Sequence, residues 1–161
     1  DDGLGALAAA GSFFVLQPVI MPPLRARGVL PALRGRRRRR GIAGLAFEES
    51  TGALNSDLVQ MLTQEADMAS FAASQPLIKK PGKKWSYSSG TTNILSRILR
   101  HAINDDQDYW AFPSRALFAP LGMTTAVLES DNSGTLVGSS LAWASGRDWA
   151  RFGQLYLDQG Q

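Results

Sequence analysis

The chain has 161 residues, of which 44% are hydrophobic, and it carries a formal net charge of +3. This length predicts one domain, and the apolar fraction is typical of a folded globular protein. Because the chain has no cysteine and only one histidine, His101, it excludes a disulfide framework, thiolate catalysis and a Cys/His zinc site, and a Ser-His-Asp triad would have to use His101.

The charge is divided sharply along the chain. Residues 1–40 contain eight of the 17 basic residues and have a net charge of +6, whereas residues 41–161 have a net charge of −3. The first segment holds an apolar run, residues 4–21, interrupted by Gln17 and Pro18, and five consecutive arginines, Arg36 to Arg40. We leave residues 1–40 unassigned and expect them to be disordered or translated out of frame, and residues 41–161 to form a partial domain.

Two other readings of the arginine run remain. It could bind nucleic acid or an anionic membrane surface through Arg36 to Arg40, but we do not favour either partner.

The chain does not begin with Met, so we expect it to be a fragment. The lack of cysteine is compatible with the cytoplasm, the periplasm or secretion, and the compartment stays unassigned.

Helix signals begin beyond residue 50. Asn55 or Ser56 can cap a helix with Leu58 and Met61 on one face, and residues 66–73 predict a second short helix. Thr91 or Thr92 can cap the clearest helix of the chain. Its spacing predicts a buried apolar stripe with Arg97 and Arg100 outside, and the stripe consists of Ile94, Leu95, Ile98, Leu99 and Ala102.

The last third mixes helix and strand signals. Residues 107–118 predict a helix that Pro113 limits or kinks. Residues 125–128 favour a strand, residues 131–134 a turn, and residues 135–143 a strand or irregular backbone. Ser145 predicts the cap of a final helix, and the aromatic side chains along one side of that helix are Trp149, Phe152 and Tyr156.

The segment at residues 81–93, Pro-Gly-Lys-Lys-Trp-Ser-Tyr-Ser-Ser-Gly-Thr-Thr-Asn, is the best candidate for chemistry. Tyr87 and Ser89 are two residues apart, so in an extended stretch their side chains would point to the same side. A phenol and a hydroxyl in one cleft could relay a proton and hold a substrate carbonyl, although the phenol would need a neighbouring cation to act as a base. The same residue types are also ordinary in loops and helix caps.

Three motifs together resemble one known family. The segment just described, Phe-Ala-Pro-Leu-Gly-Met at residues 118–123, and Ala-Ser-Gly-Arg-Asp-Trp-Ala-Arg-Phe-Gly at residues 144–153 resemble the middle of a β-lactamase-related serine hydrolase. That superfamily includes class C β-lactamases, penicillin-binding proteins, esterases and nylon-oligomer hydrolases. The resemblance covers about residues 42–161.

The resemblance implies a partial β-lactamase/transpeptidase-like α+β fold, mostly its helical region with a few short strands. It also implies hydrolysis of a small-molecule ester or amide through an acyl-serine intermediate, without a metal or cofactor. Tyr87 matches the family tyrosine that exchanges protons with the nucleophile and leaving group. Ser89 matches the third position of the Tyr-x-Asn or Tyr-x-Ser motif, where serine implies the esterase or oligomer-amidase branch and would contact the activating Lys or the substrate.

The chain departs from the family pattern at the nucleophile. No serine in the sequence is followed three residues later by lysine, and no Lys-Thr-Gly, Lys-Ser-Gly or His-x-Gly triplet follows the tyrosine motif. We therefore expect the chain by itself to be inactive. The alternatives are a non-catalytic β-lactamase-like binding module and the arginine-tail binding protein described above.

Two further features have structural interpretations. Ser130-Asp131-Asn132 spells a triplet that is catalytic in class A β-lactamases, but its surroundings favour a turn. His101 lies near the predicted C-terminus of the long helix, where a cation is mildly favourable, and is interpreted as structural.

Overall fold

A computed structural model describes residues 45–78 and 87–160. The predictions for residues 1–40, the proposed boundary at residue 41, and residues 81–86 of the candidate segment fall outside this described part. About half of the described residues are helical, and the strands within them are two short ones. Within these two ranges, no helix combines the length and apolarity required to cross a bilayer.

The elements follow one another in mostly helical order. They are α1 (Asp57–Gln64), α2 (Met68–Ser74), α3 (Ser89–Ile103), α4 (Asp106–Pro113), a π-helix (Ser114–Phe118), β1 (Val127–Leu128), β2 (Ala142–Trp143) and α5 (Gly146–Leu157). The two strands are antiparallel, with Val127 opposite Trp143 and Leu128 opposite Ala142. This partial α+β arrangement is the predicted fold class.

Side-chain caps set where the helices begin. The hydroxyl of Ser56, one of the two predicted candidates, accepts the Val59 N–H at the start of α1, and the hydroxyl of Ser145 accepts the Asp148 N–H at the start of α5, as predicted. The cap of α3 was predicted wrongly. Ser88, and neither Thr91 nor Thr92, caps it, because its hydroxyl accepts the Thr91 N–H at 3.1 Å.

The buried face of α3 also differs from the prediction. Its fully buried residues are Ser89, Gly90, Asn93 and Ser96, whereas four members of the predicted stripe are only partly buried and the fifth, Ile98, is 39% exposed. The reason is close packing against α2. A Cβ atom on Gly90 would lie 3.0 Å from the Ala72 Cβ and 2.6 Å from a ring carbon of Phe47, so this contact admits only small side chains.

The main apolar core lies where α1, α2 and α3 meet. Its buried members are Leu58, Met61, Met68, Ala72 and Val137. Phe47 and Phe71 pack against these residues, and the two rings meet each other edge-to-face with their centroids 6.4 Å apart. The core therefore fixes the N-terminal half of α3 against the segment that precedes α1.

The C-terminal half forms a second packed region. α4 ends at Pro113, as predicted, and continues as the π-helix. The predicted aromatic side of α5 is confirmed by two edge-to-face ring contacts. The ring centroids of Trp149 and Phe152 are 5.9 Å apart, and those of Phe152 and Tyr156 are 5.4 Å apart. One residue of each strand, Leu128 and Ala142, lies in the same apolar wall as residues of the π-helix and α5.

Candidate functional site

The N-terminus of α3 presents the two predicted site residues. Tyr87 directly precedes the cap residue Ser88 and is 43% exposed, whereas Ser89 is the first helical residue and is 4% exposed. The prediction that the side chains of Tyr87 and Ser89 point to the same side assumed that the backbone is extended at both residues. The backbone is extended at Ser88 but turns helical at Ser89, so that assumption does not hold beyond Ser88.

Glu49 holds Ser89 from the segment preceding α1. The Ser89 hydroxyl donates to Glu49 Oε2 at 2.7 Å, and the Ser89 backbone N–H donates to Glu49 Oε1. A carboxylate at this end of a helix is stabilised by the free N–H groups and the helix dipole. Sequence reasoning missed Glu49, because it lies 40 residues from its partner and no local spacing connects the two.

A buried polar chain continues along the same face of α3. Asn93 lies one turn beyond Ser89, and its side-chain amide donates to the Ser139 hydroxyl at 3.1 Å. Ser139 and Ser140 are hydrogen-bonded at 3.3 Å. The other amide atom, Asn93 Oδ1, is buried without a hydrogen-bond partner among the described residues. The loop carrying both serines reaches Leu141, whose φ of 60° is a costly backbone conformation for a bulky side chain.

The Ser130-Asp131-Asn132 triplet is a turn, as the sequence interpretation held. Asp131 Oδ1 accepts the Ser133 N–H and the Thr135 N–H, both at 3.0 Å, and the Ser133 hydroxyl at 2.6 Å. Its second oxygen accepts the Met68 N–H at 3.0 Å and so fixes the start of α2. Both carboxylate oxygens therefore accept hydrogen bonds that hold the turn and the start of α2 in place.

A charged cleft of about 510 Å³ lies beside the C-terminal half of α3. Arg97 bonds Asp67, and this contact is the main reason that the pKa of Asp67 is lowered to about 2. Arg100 donates to both oxygens of Asp106 at 2.7 Å. The two guanidinium groups that were predicted to face outward therefore bind carboxylates of the chain, and exposed His101 lies at the edge of this network in the last turn of α3.

Another buried carboxylate joins α5 to the segment before the strands. Asp148 is 1% exposed, and its Oδ2 accepts the Thr125 N–H at 2.8 Å and the Thr125 hydroxyl at 2.7 Å. These bonds, with a smaller contribution from Arg151, lower the pKa of Asp148.

In the part of the chain that the structure describes, no cluster of three or more His, Cys, Asp or Glu residues could hold a metal ion.

The class of protein, the serine hydrolases related to β-lactamases, is shown by comparison with protein families. A family model described as Beta-lactamase matches residues 42–161. The chain therefore belongs to the β-lactamase family, and the match covers the same residues as the resemblance found in the sequence. A search of curated proteins found no match to the chain.

Proposed function

We propose that this chain carries the tyrosine-bearing part of a serine hydrolase that cleaves a small-molecule ester or amide through an acyl-serine intermediate. The observation that carries the proposal is the position of Tyr87, half-exposed directly before the N-terminus of α3 in a chain of the β-lactamase family. A phenol exchanges protons with a reacting group when the two lie within hydrogen-bond distance, and a partly exposed residue beside a helix end can meet a group that another segment supplies.

Tyr87 would take a proton from the nucleophilic serine and return one to the leaving group. Ser89 would bond the activating lysine or the substrate. Its hydroxyl now donates to Glu49, so either role uses the remaining acceptor capacity of the hydroxyl oxygen or displaces that carboxylate.

The identity of Ser89 supports a proposal about which substrates the family branch cleaves. Serine at this third motif position favours the esterase and oligomer-amidase branch over turnover of β-lactams. We therefore propose a short ester or a linear amide as the substrate class.

The 161 residues contain no Ser-x-x-Lys motif, and we propose that the chain alone forms no acyl-enzyme. Incubation of the purified chain with a serine-directed fluorophosphonate or with penicillin, followed by intact mass spectrometry, should show no adduct. A stoichiometric adduct on a single serine would show that the chain has its own nucleophile.

The positive test supplies the missing motifs. Residues 42–161 would replace the matching segment of a family member that contributes Ser-x-x-Lys and Lys-Thr-Gly. The chimera should hydrolyse p-nitrophenyl butyrate and leave nitrocefin, a chromogenic β-lactam, intact. A folded chimera that hydrolyses neither would refute the proposed function, and preferential hydrolysis of nitrocefin would refute the proposed branch.

A further inference from the structure

An apolar cavity of about 70 Å³ lies in the C-terminal half of the described chain. α3, α4, the π-helix, the strands and α5 all contribute to its wall, for example through Leu99, Phe112, Leu117 and Trp149. The phenol of Tyr109 also lines it, but its hydroxyl donates to the Ser96 carbonyl at 3.3 Å and accepts the Leu136 N–H at 3.0 Å. The cavity therefore offers almost only carbon surface to a ligand.

The π-helix is the unusual element of this wall. Its wide turn is closed by a bond that spans five residues, from the Ala119 N–H to the Ser114 carbonyl at 2.8 Å, and the turn after it has a second bond of this span, from the Met123 N–H to the Phe118 carbonyl at 2.8 Å. It directly follows Pro113, which has no N–H to continue the α-helical ladder. Short π-helical turns are frequent at functional sites, and this one supplies Ala116, Leu117 and Phe118 to the cavity.

We propose that this cavity is a binding site for a compact apolar ligand, a short alkyl group of about three carbons, since it has roughly half the volume of a 150 Å³ apolar cavity that accepts benzene. Apolar cavities of this kind stay dry, so their walls lack dispersion contacts that an alkyl group restores. The site is independent of the proposed hydrolase site, because Ser96 in its wall lies seven residues beyond Ser89, which is about 10 Å along α3.

Xenon is a suitable probe because it is compact and makes no hydrogen bonds. The ¹⁵N-labelled full chain, titrated with xenon under pressure, should show saturable shift changes at Leu99, Ala142 and Trp149, with half-saturation on the order of 1 mM. Absence of a saturable change at these residues would overturn the proposal.

Paired variants test the location. Ala116→Leu fills the cavity and should weaken xenon binding at least about tenfold, whereas Ala111→Leu adds the same atoms at an exposed position on α4 and should leave binding unchanged. Leu99→Ala enlarges the cavity and should allow saturable binding of benzene, which the wild-type chain should not bind. This second variant decides the question if Ala116→Leu does not fold, and unchanged xenon binding in a folded Ala116→Leu chain would also overturn the proposal.

Discussion

Replacing Asp131 by alanine should destabilise the fold strongly, because this turn residue is buried. The side chain is 7% exposed, and its two oxygens accept bonds from three backbone N–H groups and one hydroxyl. Removing the carboxylate leaves those donors without their charged acceptor. Because an unsatisfied buried donor costs about 1–3 kcal/mol and water can reach part of the turn, we expect a loss of about 3–5 kcal/mol in the free energy of unfolding.

The assay is urea unfolding followed by far-UV circular dichroism, with midpoint and slope compared between variants. Asn132→Ala is the matched control, because Asn132 is exposed in the same triplet and should change the free energy of unfolding by less than about 0.5 kcal/mol. Equal, small effects of Asp131→Ala and Asn132→Ala would refute the assignment of Asp131 to a structural role.

Two further changes test packing and charge. Gly90→Ala should lower the free energy of unfolding by about 1–3 kcal/mol, because its Cβ would collide with Phe47 and Ala72, whereas Gly153→Ala, with nothing within 4 Å, should be neutral or stabilising in the same unfolding assay. Asp67→Asn should cost roughly 0.5–1 kcal/mol at pH 7, since the Arg97 pair is partly exposed and screened. The pKa of Asp67 is lowered to about 2 in the folded chain, so its stabilisation is present above the unfolded-state pKa of about 4 and is lost as the pH falls towards 2. The stability difference between the wild-type chain and Asp67→Asn, measured by urea unfolding from pH 7 to pH 2, should therefore shrink to a small fraction of its pH 7 value. An undiminished difference at pH 2 would contradict the ion-pair account.

Local signals in the sequence predicted two helix starts and one turn. Ser145 was predicted as a cap, and Ser56 was one of two candidates, because a cap hydroxyl accepts an N–H group only three residues away. The turn at Asp131 was predicted for the same reason, since its bonds reach Ser133 and Thr135. Such short-range bonds join residues that are close in the sequence, so they can be predicted without knowing the tertiary structure.

Long-range packing decided the features that the sequence did not predict. The apolar period of α3 predicted a buried apolar face, but α2 approaches Gly90 too closely for a larger side chain, and Asn93 is buried against Ser139. Glu49 accepts a hydrogen bond from Ser89 in the candidate site, although 40 residues separate the two in the sequence. The π-helix was included in a predicted helix at residues 107–118, because amino-acid periodicity does not distinguish a wide turn after Pro113 from an ordinary one.

The most direct test of the central claim compares tyrosine variants within the active chimera. Tyr87→Phe removes the phenol hydroxyl and should lower kcat/KM for p-nitrophenyl butyrate about 100-fold or more, the range expected for loss of a proton-transfer group. Tyr156→Phe is the matched control, because Tyr156 is 42% exposed on α5, and should stay within about twofold of the parent. A Tyr87→Phe chimera with undiminished kcat/KM would contradict the assignment of proton transfer to this residue.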